Sequence, residues 1–411
     1  MKVIIVAEHA STLFGGEAHN PLHYFRELRS RNIEVWLVVH DRTKAELQKL
    51  FPEDFERIFF VKGTFLHRLL WRNQQLLPRK FGEVTLGLLS QMYTQMLQRP
   101  IIQKLVIEHE IDVVHQPIQL APKYPSLMFN LGVPVIIGPM NGGMTFPPSF
   151  RYYCQGFFVE QTVTIGRFFS NVIHRILPGK LKAQVLLVAN ERTKQALPKA
   201  VQGRVIELVD NGVDLSVWQS STKVAEKPNH IVSFVYVGRL VDWKGVDLLL
   251  EAFHRVIAET NATLEIIGDG KLRSKLEFQA ERLGLNGNVV FTGWLSQKQC
   301  ACKLQQADVM VLPSLYESGG AVVLEAMAMG IPVIATNWGG PTDYLDSTCG
   351  ILIEPSSKEA FVNGLKEGML KLARNPDLRK QMGRSGQELV QLKFDWKSKI
   401  DQIIEIYKTC I

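Results

Sequence analysis

Short apolar runs recur along this chain and are separated by polar, glycine-bearing turns and helix-length segments. KVIIVAE (Lys2 to Glu8) and EVWLVVH (Glu34 to His40) have the length and continuous hydrophobicity of buried strands. The 25 residues between them hold a loop and a helix, which makes a β-α-β unit and starts a parallel sheet. Residues 63–110 read as mostly helical. IDVVHQP is a short strand carrying His115 near its end, PVIIGPM is another, and QVLLVAN and RVIELVD follow. A polar stretch with Pro228, residues 219–230, then interrupts the pattern. Alternation restarts with IVSFVYV, TLEIIGDG, NVVFTGWL, DVMVLPSLY, PVIAT and GILIEP, spaced by helix-like segments. The pattern predicts two open parallel α/β domains, residues 1–212 and 231–393, joined by a linker at 213–230. Two such domains would face each other across a cleft. An amphipathic segment at 394–411 is expected to be a C-terminal helix that packs back on the first domain.

Composition narrows the class. A length of 411 residues exceeds what one core sustains, and 46% apolar with 21% charged residues is ordinary for a globular protein. The five cysteines are scattered, and Cys300 and Cys302 form CxC, so neither a disulfide framework nor a structural zinc is expected. MKVIIVAEHA is broken by Glu8 and His9 and reads as a first strand, not a signal peptide. No apolar run approaches the ~20 residues of a spanning helix. A cytoplasmic protein is expected. The net charge of +7 suits phosphorylated substrates, an anionic membrane or simply a solvated surface; nucleic acid is disfavoured, because no zinc-finger spacing or Arg/Lys-packed recognition helix is present.

Candidate chemistry concentrates in Glu317 to Gly330, ESGGAVVLEAMAMG. A strand ends at a carboxylate, Glu317; Ser318, Gly319 and Gly320 form a turn; a helix without breakers follows and carries Glu325. Such a turn exposes unpaired N–H groups at the positive end of a helix and suits anions and sugar oxygens. An ordinary strand-turn-helix with two solvated glutamates fits this stretch equally well. Arg239 and Lys244, in VGRLVDWKG, follow the first strand of the second domain and could together neutralise a diphosphate, as a planar fork and a point charge. In the first domain Gly15 and Gly16 permit close approach of a ligand or form a plain tight turn. His115 stands near a strand's carboxyl end, where open α/β sheets gather ligands. Asn141, Gly142 and Gly143 open a loop that could line an acceptor pocket. In residues 151–182 aromatic and basic residues alternate; this fits an amphipathic helix on an anionic membrane and equally a core-facing helix with a basic edge.

GRLVDWKG, then Glu317-x7-Glu325 within YESGGAVVLEAMAMGIPVIAT, then GGPTDYL, resemble the retaining glycosyltransferases of family 4, of the GT-B fold. The likeness runs in order over roughly residues 230–400 and is weaker over the first domain. It implies a metal-independent hexosyltransferase of class EC 2.4 with no cofactor. The enzyme would move a hexose from a UDP- or GDP-sugar to a glycan or lipid-linked acceptor in cell-surface polysaccharide or glycolipid synthesis, in the cytoplasm or at the inner face of the membrane. By the resemblance, Arg239 and Lys244 bind the donor diphosphate. Ser318, Gly319 and Gly320 meet sugar hydroxyls and phosphate, Glu317 lies by the transferred sugar, and Glu325 holds the ribose. Gly15 and Gly16 lie near the diphosphate and His115 near the sugar. Two departures stand out. Pro117 occupies the place of a second histidine found in many relatives, and Gly319 stands where E-x-F-G has phenylalanine. A sugar-nucleotide epimerase of the same fold, or a non-catalytic sugar-nucleotide-binding protein, are the competing classes. The donor base, sugar, acceptor, linkage and oligomeric state are not legible.

Overall fold

The computed structural model describes residues 1–13, 18–77, 82–117, 121–153, 173–218 and 231–411. The chain divides into two compact units. The first comprises Met1–Gly143, Gly156–Asp210 and Lys399–Ile411; the second comprises Met144–Gln155 and Asn211–Ser398. The expected linker falls largely on residues 219–230, which lie outside the described residues.

The first unit is built on a seven-stranded sheet. Its strands are β1 (Lys2–Val6), β2 (Glu34–His40), β3 (Ile58–Val61), β4 (Val113–Gln116), β5 (Val135–Met140), β6 (Val185–Val188) and β7 (Arg204–Glu207). All pairings are parallel, in the order β3-β2-β1-β4-β5-β6-β7. Five of these strands, β1, β2, β4, β5 and β6, are buried along nearly their whole length, as expected where crossover helices cover both faces of a parallel sheet. Helix α1 (Asn20–Ser30) links β1 to β2 and buries Leu22, Tyr24, Phe25 and Leu28. Helices α2 (Phe65–Gln74) and α3 (Leu88–His109) lie between β3 and β4. One core joins Ile4, Val6, Val38, Val114, Ile137 and Leu186 with Ile102 and Leu105 of α3.

The second unit repeats the design with six parallel strands. They are β8 (Val232–Val237), β9 (Ala262–Ile267), β10 (Val289–Gly293), β11 (Val309–Leu312), β12 (Val333–Thr336) and β13 (Gly350–Ile353), in the order β10-β9-β8-β11-β12-β13. Helix α4 (Val246–Ile257) follows β8, and helix α5 (Ala321–Ala328) follows β11. In both sheets the strand order reverses at one place, between β1 and β4 and between β8 and β11. Loops leaving the carboxyl ends of those neighbours diverge to opposite faces and leave a crevice, where open α/β sheets bind ligands.

Two boundaries depart from the sequence pattern. Met144–Gln155 lies within the stretch assigned to the first domain, yet belongs to the second unit. Its aromatic residues explain this. Phe146 packs on Tyr316 with ring centroids 5.0 Å apart, Phe150 on Phe361 at 5.8 Å, and Trp338 Nε1 donates to the Thr145 carbonyl at 2.7 Å. The C-terminal helix α6 (Trp396–Lys408) starts in the second unit, where Val213 exchanges backbone hydrogen bonds with Phe394 and Trp396. From Lys399 onward it belongs to the first unit. There buried Lys399 donates to the Asp210 carbonyl at 2.6 Å, and Arg31 pairs with Asp401 at 2.7 Å. Of the 151–182 segment, residues 154–172 lie outside the described residues. His174 and Lys180, two of that segment's basic residues, are buried; Lys180 donates to the carbonyls of Ala121 at 2.9 Å and Pro122 at 3.2 Å.

Close backbone approach at the strand ends of the second unit is the feature most exposed to mutation. Gly268 follows β9 at φ +139°, and a Cβ there would fall far inside the van der Waals radius of the Gly238 carbonyl oxygen. Gly284 also has positive φ, +68°, but its Cβ would meet nothing within 4 Å. Gly284→Ala is therefore expected to cost only the backbone term, about 1 kcal/mol. Gly268→Ala should cost about 3 kcal/mol or more. Urea denaturation of the two variants separates the terms, and equal losses would show that close packing contributes nothing.

Candidate functional site

The loops leaving β8, β9, β11 and β12 interlock through backbone. After β8, Gly238 donates to the Ile267 carbonyl at 3.0 Å and Leu240 to the Asp269 carbonyl at 2.9 Å. A short 3-10 turn, Asp242–Lys244, follows and ends at Gly245, whose φ of +64° starts α4. A side chain at Gly245 would strike the Pro313 carbonyl. Leu315 then donates to the Trp243 carbonyl at 2.8 Å, which ties the loop after β8 to the loop after β11. On the other flank Gly340 donates to the Glu317 carbonyl at 2.7 Å, and its missing Cβ leaves room for the Gly319 carbonyl. The result is a fixed floor beneath residues 238–245 and 313–321.

This floor brings together the second-unit candidates. Lys244 Nζ forms an ion pair with Glu317 Oε2, and both side chains are about seven-eighths buried. Such a pair satisfies two charges that would each be costly to leave alone in a partly desolvated place. Arg239 is exposed, with its guanidinium 6.0 Å from the Trp243 ring centroid. Its backbone is held from below by Tyr236, whose hydroxyl donates to the Arg239 carbonyl at 3.0 Å. Gly320, at φ +75°, caps α5 without a side chain. The N–H groups of Gly319, Gly320 and Ala321 have no hydrogen-bond partner among the described residues. These are the donors a helix start leaves open to an anion.

Glu325 lies within α5, half-buried and beside Cys300. Its carboxylate has no hydrogen-bond or ion-pair partner among the described residues, and burial pushes its pKa up to about 7. Burial, and then the neighbouring Glu325, raise the Cys300 thiol to about 11. A carboxylate held without a donor is suited to receive hydroxyls from a ligand.

The first-unit candidates divide. Gly15 and Gly16 lie outside the described residues. The chain before them is pinned: Glu46 accepts from the Ser11 hydroxyl at 2.5 Å and from the Thr12 N–H and hydroxyl at 2.7 Å each. His115 is placed differently from its expected role beside the sugar. It is fully buried inside β4; its Nε2 bonds the Gly138 carbonyl at 2.6 Å and its Nδ1 meets the Tyr407 hydroxyl of α6 at 2.6 Å. A carbonyl only accepts, so Nε2 carries the proton and Nδ1 accepts from tyrosine. Burial lowers the ring's pKa to about 4, which keeps it neutral. With both nitrogens occupied and no accessible surface, the structure makes His115 a core fastener between β4, β5 and α6. Asn141 is likewise buried and donates to Asp210 Oδ1 at 3.0 Å. Gly142 and Gly143 are partly exposed; the Gly142 N–H is held by Thr193 Oγ1 at 3.1 Å, and Gly143 has φ +72°. Sequence reasoning did not find the interlocking role of Gly238, Gly245, Gly268 and Gly340; they stand in the loops that leave strand ends, and that position is the signal that could have marked them.

Two all-parallel α/β units of this order constitute the GT-B architecture. Sucrose-phosphate synthase of Thermosynechococcus elongatus superimposes with a TM-score of 0.69 at 18% identity, covering 99% of this chain and 98% of that one. Anabaena HepE, solved in complex with UDP, gives 0.66 at 16% identity and covers 100% of each chain. Residues 219–389, most of the second unit, match the family model described as glycosyl transferases group 1. The D-inositol 3-phosphate glycosyltransferase of Segniliparus rotundus is 30% identical over 227 residues, 52% of this chain and 49% of that protein. The chain spans between 44% and 61% of the length of the first curated relatives it matches.

The elevated Glu325 pKa gives an expectation with a definite sign. A carboxyl raised from its model-peptide value of 4.5 to about 7 adds stability that is present below pH 4.5 and lost as pH rises through 7. Glu325→Gln removes that loss. The variant is expected to be more stable than the parent at pH 8 by about 1–3 kcal/mol and indistinguishable near pH 4.5. Denaturation measured at the two pH values checks this, and a parent more stable at pH 8 would refute the burial account.

Proposed function

We propose that the protein is a retaining, metal-independent hexosyltransferase of the family 4 type that uses a nucleoside diphosphate sugar as donor. The observation that carries this reading is the joint presence, at the β8/β11 switch point, of Arg239, Lys244 and the open N–H groups of Gly319–Ala321. Glycosyl transfer breaks the bond between the anomeric carbon and the diphosphate oxygen, so negative charge grows on the leaving group while positive charge grows on the sugar. Fixed cations and N–H dipoles aimed at the diphosphate stabilise the first of these charges without reorganisation. Arg239 would chelate with its planar fork, and Lys244 would act as a compact charge released from Glu317. Freed from Lys244, Glu317 would accept hydroxyls of the transferred sugar. Glu325, already unpartnered, would accept those of the ribose. The UDP complex of the HepE neighbour supports a UDP-sugar as the first donor to try, and GDP-sugars remain the second.

In this reading the acceptor, a glycan or lipid-linked saccharide, attacks from the face the diphosphate leaves, so configuration at the anomeric carbon is kept. Paired carboxylates flanking a bond would suit a glycosidase, but Glu317 is already committed to Lys244 and Glu325 lies on the helix behind it. The chemistry is therefore assigned to leaving-group stabilisation and not to a carboxylate acid/base pair.

Lys244→Ala is expected to lower kcat by about a hundredfold, the usual cost of removing one fixed electrostatic contact from a developing anion. Release of nucleoside diphosphate from a panel of UDP- and GDP-sugars, with and without acceptors, reads it. A variant with unchanged kcat would sink the leaving-group role, and conversion of donor in the absence of acceptor to an epimeric sugar nucleotide would replace transferase with epimerase.

A further inference from the structure

The first unit contains a cavity of about 460 Å³ that the mechanism above does not use. It opens at the carboxyl ends of β1, β2 and β3 and is floored by Glu8, His40 and Arg42. Helix α2 and the start of α3 wall it. Its volume is that of a site for a mono- or disaccharide-sized ligand. Three features describe what it would hold.

The first is charge. Arg42 and Arg68 both line the cavity. Arg42 is 3.4 Å from Glu8, whereas Arg68 has no carboxylate partner among the described residues. The sequence from Lys62 through Gly82 contains neither Asp nor Glu, so nothing along α2 offsets that charge. The second feature is an orphaned polar atom. His40 is buried to 5% accessibility at the cavity floor, and its Nε2 has no hydrogen-bond partner, although its Nδ1 lies 3.0 Å from Asp41 Oδ1 and 3.2 Å from the Arg42 backbone nitrogen. A buried imidazole nitrogen left without a partner costs energy that a ligand oxygen would return. The third feature is Trp71, 63% exposed at the wall. An indole standing free beside polar groups offers a face for the weakly positive C–H side of a sugar ring. In contrast, His67 is spent: its Nδ1 meets the Thr64 N–H at 3.2 Å and its Nε2 the Thr94 hydroxyl at 3.1 Å, so it shapes the wall and is not available to a ligand.

We propose that this cavity binds a saccharide bearing a phosphate or carboxylate, with Arg68 on the anionic group, Trp71 against the ring and His40 Nε2 on a ring substituent, and that the acceptor of the proposed transfer is of this acidic class. The assignment to the acceptor rests on the transferase reading; binding itself does not. The anionic group could belong to a free saccharide or to a lipid headgroup, and the chemistry at Arg68 is the same.

The test is direct binding to the full chain. Glucose 6-phosphate, glucuronate and neutral glucose are titrated by ligand-observed NMR, with UDP in parallel. Flotation with phosphatidylinositol vesicles against phosphatidylcholine vesicles forms a second arm. The acidic sugars are expected to bind about tenfold more tightly than glucose, the difference made by one charge-assisted contact. Arg68→Gln should erase that difference and Trp71→Ala should weaken acidic and neutral sugars alike, while both leave UDP binding unchanged. Selective flotation lost in Arg68→Gln would assign the anion to a lipid headgroup; acidic-sugar binding without flotation would assign it to a free saccharide. Equal binding of acidic and neutral probes, or no binding in either arm, overturns the proposal. Loss of UDP binding in the parent would instead strike the transferase reading and leave the cavity result standing.

Discussion

The second unit depends on places where backbone meets backbone with no side chain between. Gly268 lets the loop after β9 touch Gly238, Gly245 lets α4 begin against Pro313, and Gly340 lets the segment after β12 rest on Gly319. Each approach is closer than any Cβ would permit. Together they set the loops leaving four neighbouring strands at one level, and they put a cation-bearing turn and a helix start side by side. A site for a dispersed negative charge needs such rigidity, since donors that must reorganise contribute little to a developing anion.

The charges on that floor are arranged for exchange. Lys244 and Glu317 neutralise one another in the absence of ligand, which avoids leaving either charge partly desolvated and alone. A diphosphate would compete for the lysine and free the carboxylate for sugar hydroxyls in the same event. Glu325 has no such partner among the described residues, and desolvation raises its pKa to about 7.

Much of this was legible in the sequence. The strands were, because parallel strands covered on both faces are continuous apolar runs. The grouping of Arg239, Lys244, Glu317 and the Gly319-Gly320 turn was legible too, because all follow strands that the alternation makes neighbours. His115 was not, because its role is set by Tyr407, 292 residues away, and no local pattern announces that hydroxyl. The membership of Met144–Gln155 in the second unit was hidden for the same reason: Phe146 and Phe150 find their partners at Tyr316 and Phe361. The cavity of the first unit escaped notice because its lining comes from separate stretches around residues 8, 40, 64–74 and 87–90.

The central claim is that the floor formed by Arg239, Lys244 and the Gly319–Ala321 turn recognises a diphosphate. Calorimetric titration of the unmodified protein with UDP and UMP, and with GDP and GMP, in the presence of EDTA tests it most directly. The account predicts that at least one diphosphate binds about a hundredfold or more tightly than its monophosphate, since the second phosphate would add charge-assisted contacts worth about 3 kcal/mol. Equal affinity for mono- and diphosphates, or binding abolished by the chelator, would contradict it.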